Sequence, residues 1–321
     1  MRDALAAAEI GASEVTAFWI CGTDDIGVQL LPADADQTFE AQRDEWRRIR
    51  DAVLPLGRVP IGTEEYYVDA AQLGGDETAY GRAHWAPNDP SGPGLLPRAL
   101  IDASFDVAAD QTEAEAFERL HPPEQDELWS EERTQRRLEE WAEYTLASEL
   151  RYTAARVGEA PSADAVKAAL GVPRRGVIAG REDTELDRFL FDWEEARAPT
   201  IEPEWDEDFH PPYEPWSAVH LLPLPWSWAC PAYLAFQGAP NRREAARLIA
   251  VLRSWHERHG VEVRSRDSVL LELVVERPPA TLDEAYRMAM QLHGAHRTQG
   301  PMRAAARALW QRREFTLYQR P

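Results

Sequence analysis

The chain has 321 residues, 44% hydrophobic and 28% charged, with two cysteines and a formal charge of −21. The apolar fraction suffices for packed cores, so wholesale disorder is excluded, and nothing approaches the ~20 consecutive apolar residues of a membrane helix. A charge of this size and sign repels a polyanion, which argues against nucleic acid as a partner.

The opening MRDALAAAEIGASEV carries Asp3 and Glu9 inside its apolar stretch, unlike a signal peptide. Together with the sparse Cys21 and Cys230, this predicts a cytoplasmic protein. Lys167 is the one lysine, so nearly all the basic residues are arginine. With the abundant alanine and proline, that points to the coding bias of a GC-rich bacterium. Arginine here therefore carries no special message about phosphate.

Residues 1–85 predict a small α+β unit. Two apolar runs in Val15–Leu31 flank Gly22-Thr23-Asp24-Asp25 as in a hairpin. Phe39, Gln42, Trp46, Ile49 and Val53 have helical spacing over Thr38–Leu54, and RVPIGTEEYYVD reads as a strand. Pro87, Pro90, Pro93 and Pro97 mark residues 86–111 as a linker. Residues 112–197 read as an acidic helical region. Ser130 opens a long helix ending near Gly158, with Leu138, Trp141, Leu146, Leu150, Ala154 and Val157 as its buried stripe. Ser162 starts a short helix, and a third carries Leu186, Phe189, Leu190 and Trp193 on one side.

Residues 198–230 hold prolines at 199, 203, 211, 212, 215, 223 and 225 together with Trp205, Trp216, Trp226 and Trp228. The prolines exclude helix, and the tryptophans make the stretch too apolar to float free, so it is expected to lie as an extended strap along a domain surface. An aromatic-lined binding groove is the functional alternative.

From 231 to 321 the charge reverses, with 15 arginines against 9 acids. Tyr233–Phe236 reads as a strand. A helix opened by the capping pair Asn241 and Glu244 ends at Gly260, and a hairpin turns about Arg266-Asp267-Ser268. Thr281 and Glu284 cap the next helix; a short helix over Ala304–Gln311 and a strand at Phe315–Tyr318 complete the order. This predicts an α+β protein with a C-terminal ferredoxin-like βαββαβ sheet, two helices covering one face.

The run from Pro231 through Ala285 resembles a bacterial family catalogued as domain of unknown function four-two-five-three. That family is marked by a helix ending Trp-His-Glu-Arg-Tyr-Gly, a strand pair and a Pro-Pro-Thr helix start. The matching residues are Trp255, His256, Glu257, Arg258 and Gly260, with Pro278, Pro279 and Thr281; His259 stands where the family has tyrosine. The family's Cys-Pro-Asp after the second helix and its acidic, Trp-rich tail are absent. The resemblance implies a domain and no activity.

Two constellations invite chemistry. His256 and His259, and likewise His293 and His296, are spaced i and i+3 near the ends of the two C-terminal helices. If those ends converge, four imidazoles would suit one transition metal. The macrodipole, which favours histidine at helix C-termini, explains the same residues without a metal. The acidic run Glu202, Glu204, Asp206, Glu207 and Asp208 beside His210 lacks the glycine and distal glutamate of a calcium loop and reads as solvated charge. Gly171, Gly176 and Gly180 match neither phosphate-loop pattern, and no nucleophile elbow occurs.

The reading that follows is a non-catalytic interaction protein without a cofactor. It would neutralise a toxin or regulate a partner, engaging a protein, expected to be basic, through an acidic, Trp-bearing surface. The residues for that surface are Trp205, Trp216, Trp226, Trp228, Asp206 and Asp208. A metal-dependent enzyme, hydrolytic in type, at His256, His259, His293 and His296 is the alternative.

Overall fold

The computed structural model describes residues 2–8, 10, 12–19, 26–32, 39–63, 97–107, 109, 146–170, 181–204, 209–210, 216–233, 242–266, 270–295 and 300–318. In chain order the elements are α1 (Arg2–Ala7), β1 (Ala12–Trp19), β2 (Ile26–Pro32), α2 (Phe39–Val53), β3 (Val59–Thr63) and α3 (Pro97–Phe105). Then come α4 (146–157), α5 (Ala163–Leu170), α6 (Arg181–Glu195), β4 (Phe209–His210) and β5 (Ala218–Leu222). The last are α7 (Arg242–His259), β6 (Val261–Arg266), β7 (Leu270–Val275), α8 (Leu282–Ala295), α9 (Met302–Leu309) and β8 (Glu314–Tyr318). Short 3-10 turns occupy Leu54–Leu56 and Ser227–Ala232. They divide into two compact units. The first comprises Met1–Ala109, Asp208–Pro278 and Arg312–Pro321; the second comprises Asp110–Glu207 and Pro279–Gln311.

The first unit is built on one mixed sheet, in the order β1-β2-β5-β3-β6-β7-β8-β4. Its pairings are antiparallel except that of β3 with β6. The α+β class is as expected. The ferredoxin-like order is not: β6, β7 and β8 follow one another as a meander, and β3, from far upstream, separates β5 from β6. The split arrangement takes its first strand from Tyr233–Phe236, followed by α7-β6-β7-α8-α9-β8, but order along the chain does not specify neighbours in the sheet. Of the two helices expected to cover one face, α7 belongs to the first unit and α8 to the second. The strand expected at Tyr233–Phe236 lies outside the described residues beyond Tyr233, which closes the second 3-10 turn.

The stretch expected as a surface strap supplies a central strand. All five residues of β5 are buried, between β2 on one side and β3 on the other. AVHLL is apolar enough for a strand covered on both faces, and its flanking prolines delimit it.

Helix α2 covers one face of the sheet. Gln42, Trp46, Ile49 and Val53 fall on one helical stripe and are buried, and the last three form a core with Val28, Leu30, Trp216, Val219 and Leu221. The Gln42 amide holds the backbone of Trp216 from both sides, donating to its carbonyl at 3.0 Å and accepting from its N–H at 2.8 Å. The Trp216 indole lies on Gly62, where a Cβ would approach ring atoms to 2.4 Å, so only glycine fits. Further along, Arg264 grips Glu272 in a bidentate pair (2.9 and 2.7 Å), Ser265 donates to Glu272, and Arg43 and Arg50 of α2 pair with Glu314 and Glu262. On the other face α7 lays Trp255 edge-on against Phe315. The helix stops at Gly260, whose φ of +64° suits glycine.

The second unit packs α6, α8 and α9 with α4 and α5. Thr281 and Glu284 form the expected capping box of α8, with Glu284 N–H donating to Thr281 Oγ1 (3.1 Å) and Thr281 N–H to Glu284 Oε2 (3.3 Å). Ser162 caps α5 through the Ala165 amide. The partner capping residue Asn241 of α7 lies outside the described residues. The buried face of α6 differs from the apolar stripe read from sequence: Asp187, Leu190, Phe191 and Glu194 are buried, while Leu186, Phe189 and Trp193 are half-buried. Two acids can turn inward because α9 presents Arg303 and Arg307, one helical turn apart, both without exposure.

Candidate functional site

In the first unit, the chain leaves β5 through bends at Pro223 and Pro225, the first closed by the Leu224 N–H donating to the Leu222 carbonyl at 2.8 Å. Trp226, with φ −139° and ψ 128°, precedes the 3-10 turn and projects from it. Trp228, inside that turn, is buried, and the two indoles stack at 5.4 Å with 17° between their planes. Phe105, the last residue of α3, meets Trp228 edge-on at 6.4 Å and 85°. Trp226 is 48% exposed and Phe105 59%, so a buried tryptophan supports two exposed aromatic rings. Arg253 of α7 lies 4.1 Å from the Phe105 ring centroid and donates to the Ser104 carbonyl at 3.3 Å. Ser227 Oγ accepts the Val263 N–H, fixing the turn to β6. Asp102 and Asp106 flank Phe105 and are exposed.

The sequence reading gathered Trp205, Trp216, Trp226, Trp228, Asp206 and Asp208 into one surface. Trp226 and Trp228 come together. Trp216 is 7% exposed and belongs to the core under α2. Trp205, Asp206 and Asp208 lie outside the described residues. Phe105 carried no local signal, since its contact with Trp228 spans more than a hundred residues. Of the wider acidic run, Glu204 pairs with Arg156 at 2.6 Å, and Arg156 also donates to Ala198 and Thr200, binding this segment to α4.

His256 and His259 belong to the first unit, where their Nδ1–H groups donate to the carbonyls of Val261 (3.0 Å) and Arg277 (3.1 Å). His293 is in the second unit, half-buried, and His296 lies outside the described residues. Among the described residues, no three histidine, cysteine or acidic side chains are grouped to hold a metal.

His220 and Cys230 are further buried polar groups of the first unit. His220 on β5 is fully buried, and burial, with a lesser push from Arg266, lowers its pKa to about 4, so the ring is neutral at pH 7. Burial drives the Cys230 thiol far above its ordinary range, which suppresses the thiolate and makes it a poor nucleophile.

The second unit holds a continuous charge cluster. Arg303 reaches Asp187 (2.7 Å), Glu194 (2.9 Å) and Glu149 (2.6 Å), and Arg307 reaches Glu194 (2.6 Å) and Glu195 (2.8 Å). Thr153 and Tyr286 donate to Glu194 and Asp187. Burial raises Asp187 to about 6 against the opposing pull of Arg303. Each carboxylate named in this network is engaged by an arginine, while Arg307 Nη1 is buried with no hydrogen-bond partner among the described residues.

Residues 218–298, from β5 through α8, match the family described as Domain of unknown function (DUF4253), in agreement with the resemblance seen around Trp255–Gly260. No curated protein and no solved structure matches the chain. Among the described residues, no helix is long and apolar enough to cross a membrane.

Proposed function

We propose that this is a non-catalytic interaction protein, of the toxin-neutralising or regulatory kind, that engages a protein partner through the ledge formed by Phe105, Trp226 and Trp228. The observation that carries the reading is the pairing of half-exposed Trp226 with buried Trp228. Exposed aromatics held on a rigid support give large contact area with little ordering entropy, as in the anchors of protein interfaces. Single exposed apolar side chains are commonplace, but two large rings sharing one buried support form a patch.

The test compares proteins captured by the immobilised wild type with those captured by Trp226→Ala/Phe105→Ala, both checked for the same thermal unfolding midpoint. The reading expects a stoichiometric protein on the wild type that is depleted at least tenfold on the variant. Identical capture by the two overturns it.

A further inference from the structure

We infer that the ledge is built for a basic, arginine-bearing segment of the partner, with Asp102 and Asp106 as the ionic half of the contact. This rests on the reading of the ledge as the binding surface and adds the chemistry of what it takes. Asp102 lies three residues before Phe105 on α3 and so shares its helical face; Asp106 follows the ring directly. Both carboxylates are exposed, and among the described residues neither enters an ion pair. The aromatic half suits the same occupant. Phe105 already accepts the Arg253 guanidinium on its face at 4.1 Å, and tryptophan, here Trp226, is the better cation acceptor. A guanidinium is planar and weakly hydrated, so one side chain can stack on an indole while its N–H fork meets a carboxylate. The charge of −21 steers a cationic partner toward the chain and opposes a second copy of it.

The probe is a fluorescent octa-arginine amide titrated into the full chain at 0.15 M salt. Asp102→Asn/Asp106→Asn is expected to weaken its binding at least fivefold. Glu40→Gln/Asp164→Asn, which removes the same charge from exposed positions elsewhere, is expected to change it less than twofold. Equal weakening by both pairs means that the peptide reads net charge alone and overturns the inference. Should the Asp102/Asp106 variant bind like wild type while Trp226→Ala/Phe105→Ala still loses its captured protein, the inference falls and the ledge stands. If that capture is also unchanged, the functional reading falls with it.

Discussion

On β5 His220 is opposite Ile61 of β3 and Gln29 of β2 in register, and its side chain is buried. Its folded pKa of about 4 lies below the 6.5 of an unfolded histidine, so the unfolded chain binds the extra proton between those values. The contribution to stability is therefore complete above pH 6.5 and is lost as the pH falls toward 4. Between pH 7.5 and 5 this amounts to about 2 kcal/mol. Urea denaturation at the two pH values should show a pH dependence that differs by that amount between the wild type and His220→Gln, whatever the variant costs at pH 7.5. An equal pH dependence in both proteins would remove His220 from the account. Gly62 makes a second demand at this scale. Gly62→Ala drives a methyl group into the Trp216 ring, and an overpacking cost of about 1–3 kcal/mol should appear as a lower denaturation midpoint.

At the scale of elements, the contact of α6 with α9 is an ionic interface with a small apolar complement. Removing one charge from such a cluster strands its partners. Arg303→Met leaves Asp187 buried without its cation, while Glu194 keeps Arg307, and should cost about 3–5 kcal/mol. Adding Asp187→Asn to Arg303→Met should recover part of that loss, because the stranded charge goes with it. Denaturant midpoints of the two single variants and the double variant measure the coupling, and strict additivity would show that the pair does not act as a unit. A smaller effect belongs to the start of α8, where Thr281→Ala forfeits the capping box for about 1 kcal/mol. These two cases divide what was legible in the sequence from what was not. The cap, α2 and the β6–β7 hairpin follow from spacing within a few residues, and each is found. The inward turn of Asp187 and Glu194 depends on arginines more than a hundred residues away, and hydrophobic periodicity assigns such acids to solvent. The central place of β5 was hidden in the same way, because its prolines speak for its ends and its neighbours come from elsewhere in the chain. At the candidate site, Trp226 and Trp228 were visible as a local cluster, whereas Phe105 and the burial of Trp216 are products of the fold.

At the scale of the molecule, the two units carry opposite responses to acid. In the first, His220 withdraws stability as the pH falls from 6.5 toward 4. In the second, Asp187 behaves in the reverse sense. Its folded pKa of about 6 exceeds the unfolded value of 3.8, so the folded state takes up the proton first, and stability from this group rises as the pH falls through that window. A measurement that reports one global free energy sees these contributions largely cancel. Hydrogen exchange resolves them, since amides report the opening of their own unit. On moving from pH 7 to pH 5, with intrinsic exchange rates corrected, amides of β5, β6 and α7 should lose protection relative to those of α6 and α9. His220→Gln should reduce the loss in the first set alone, and Asp187→Asn should reduce the gain in the second alone. If protection changes equally in both sets, the units open as one, and the cancellation becomes a property of the whole chain.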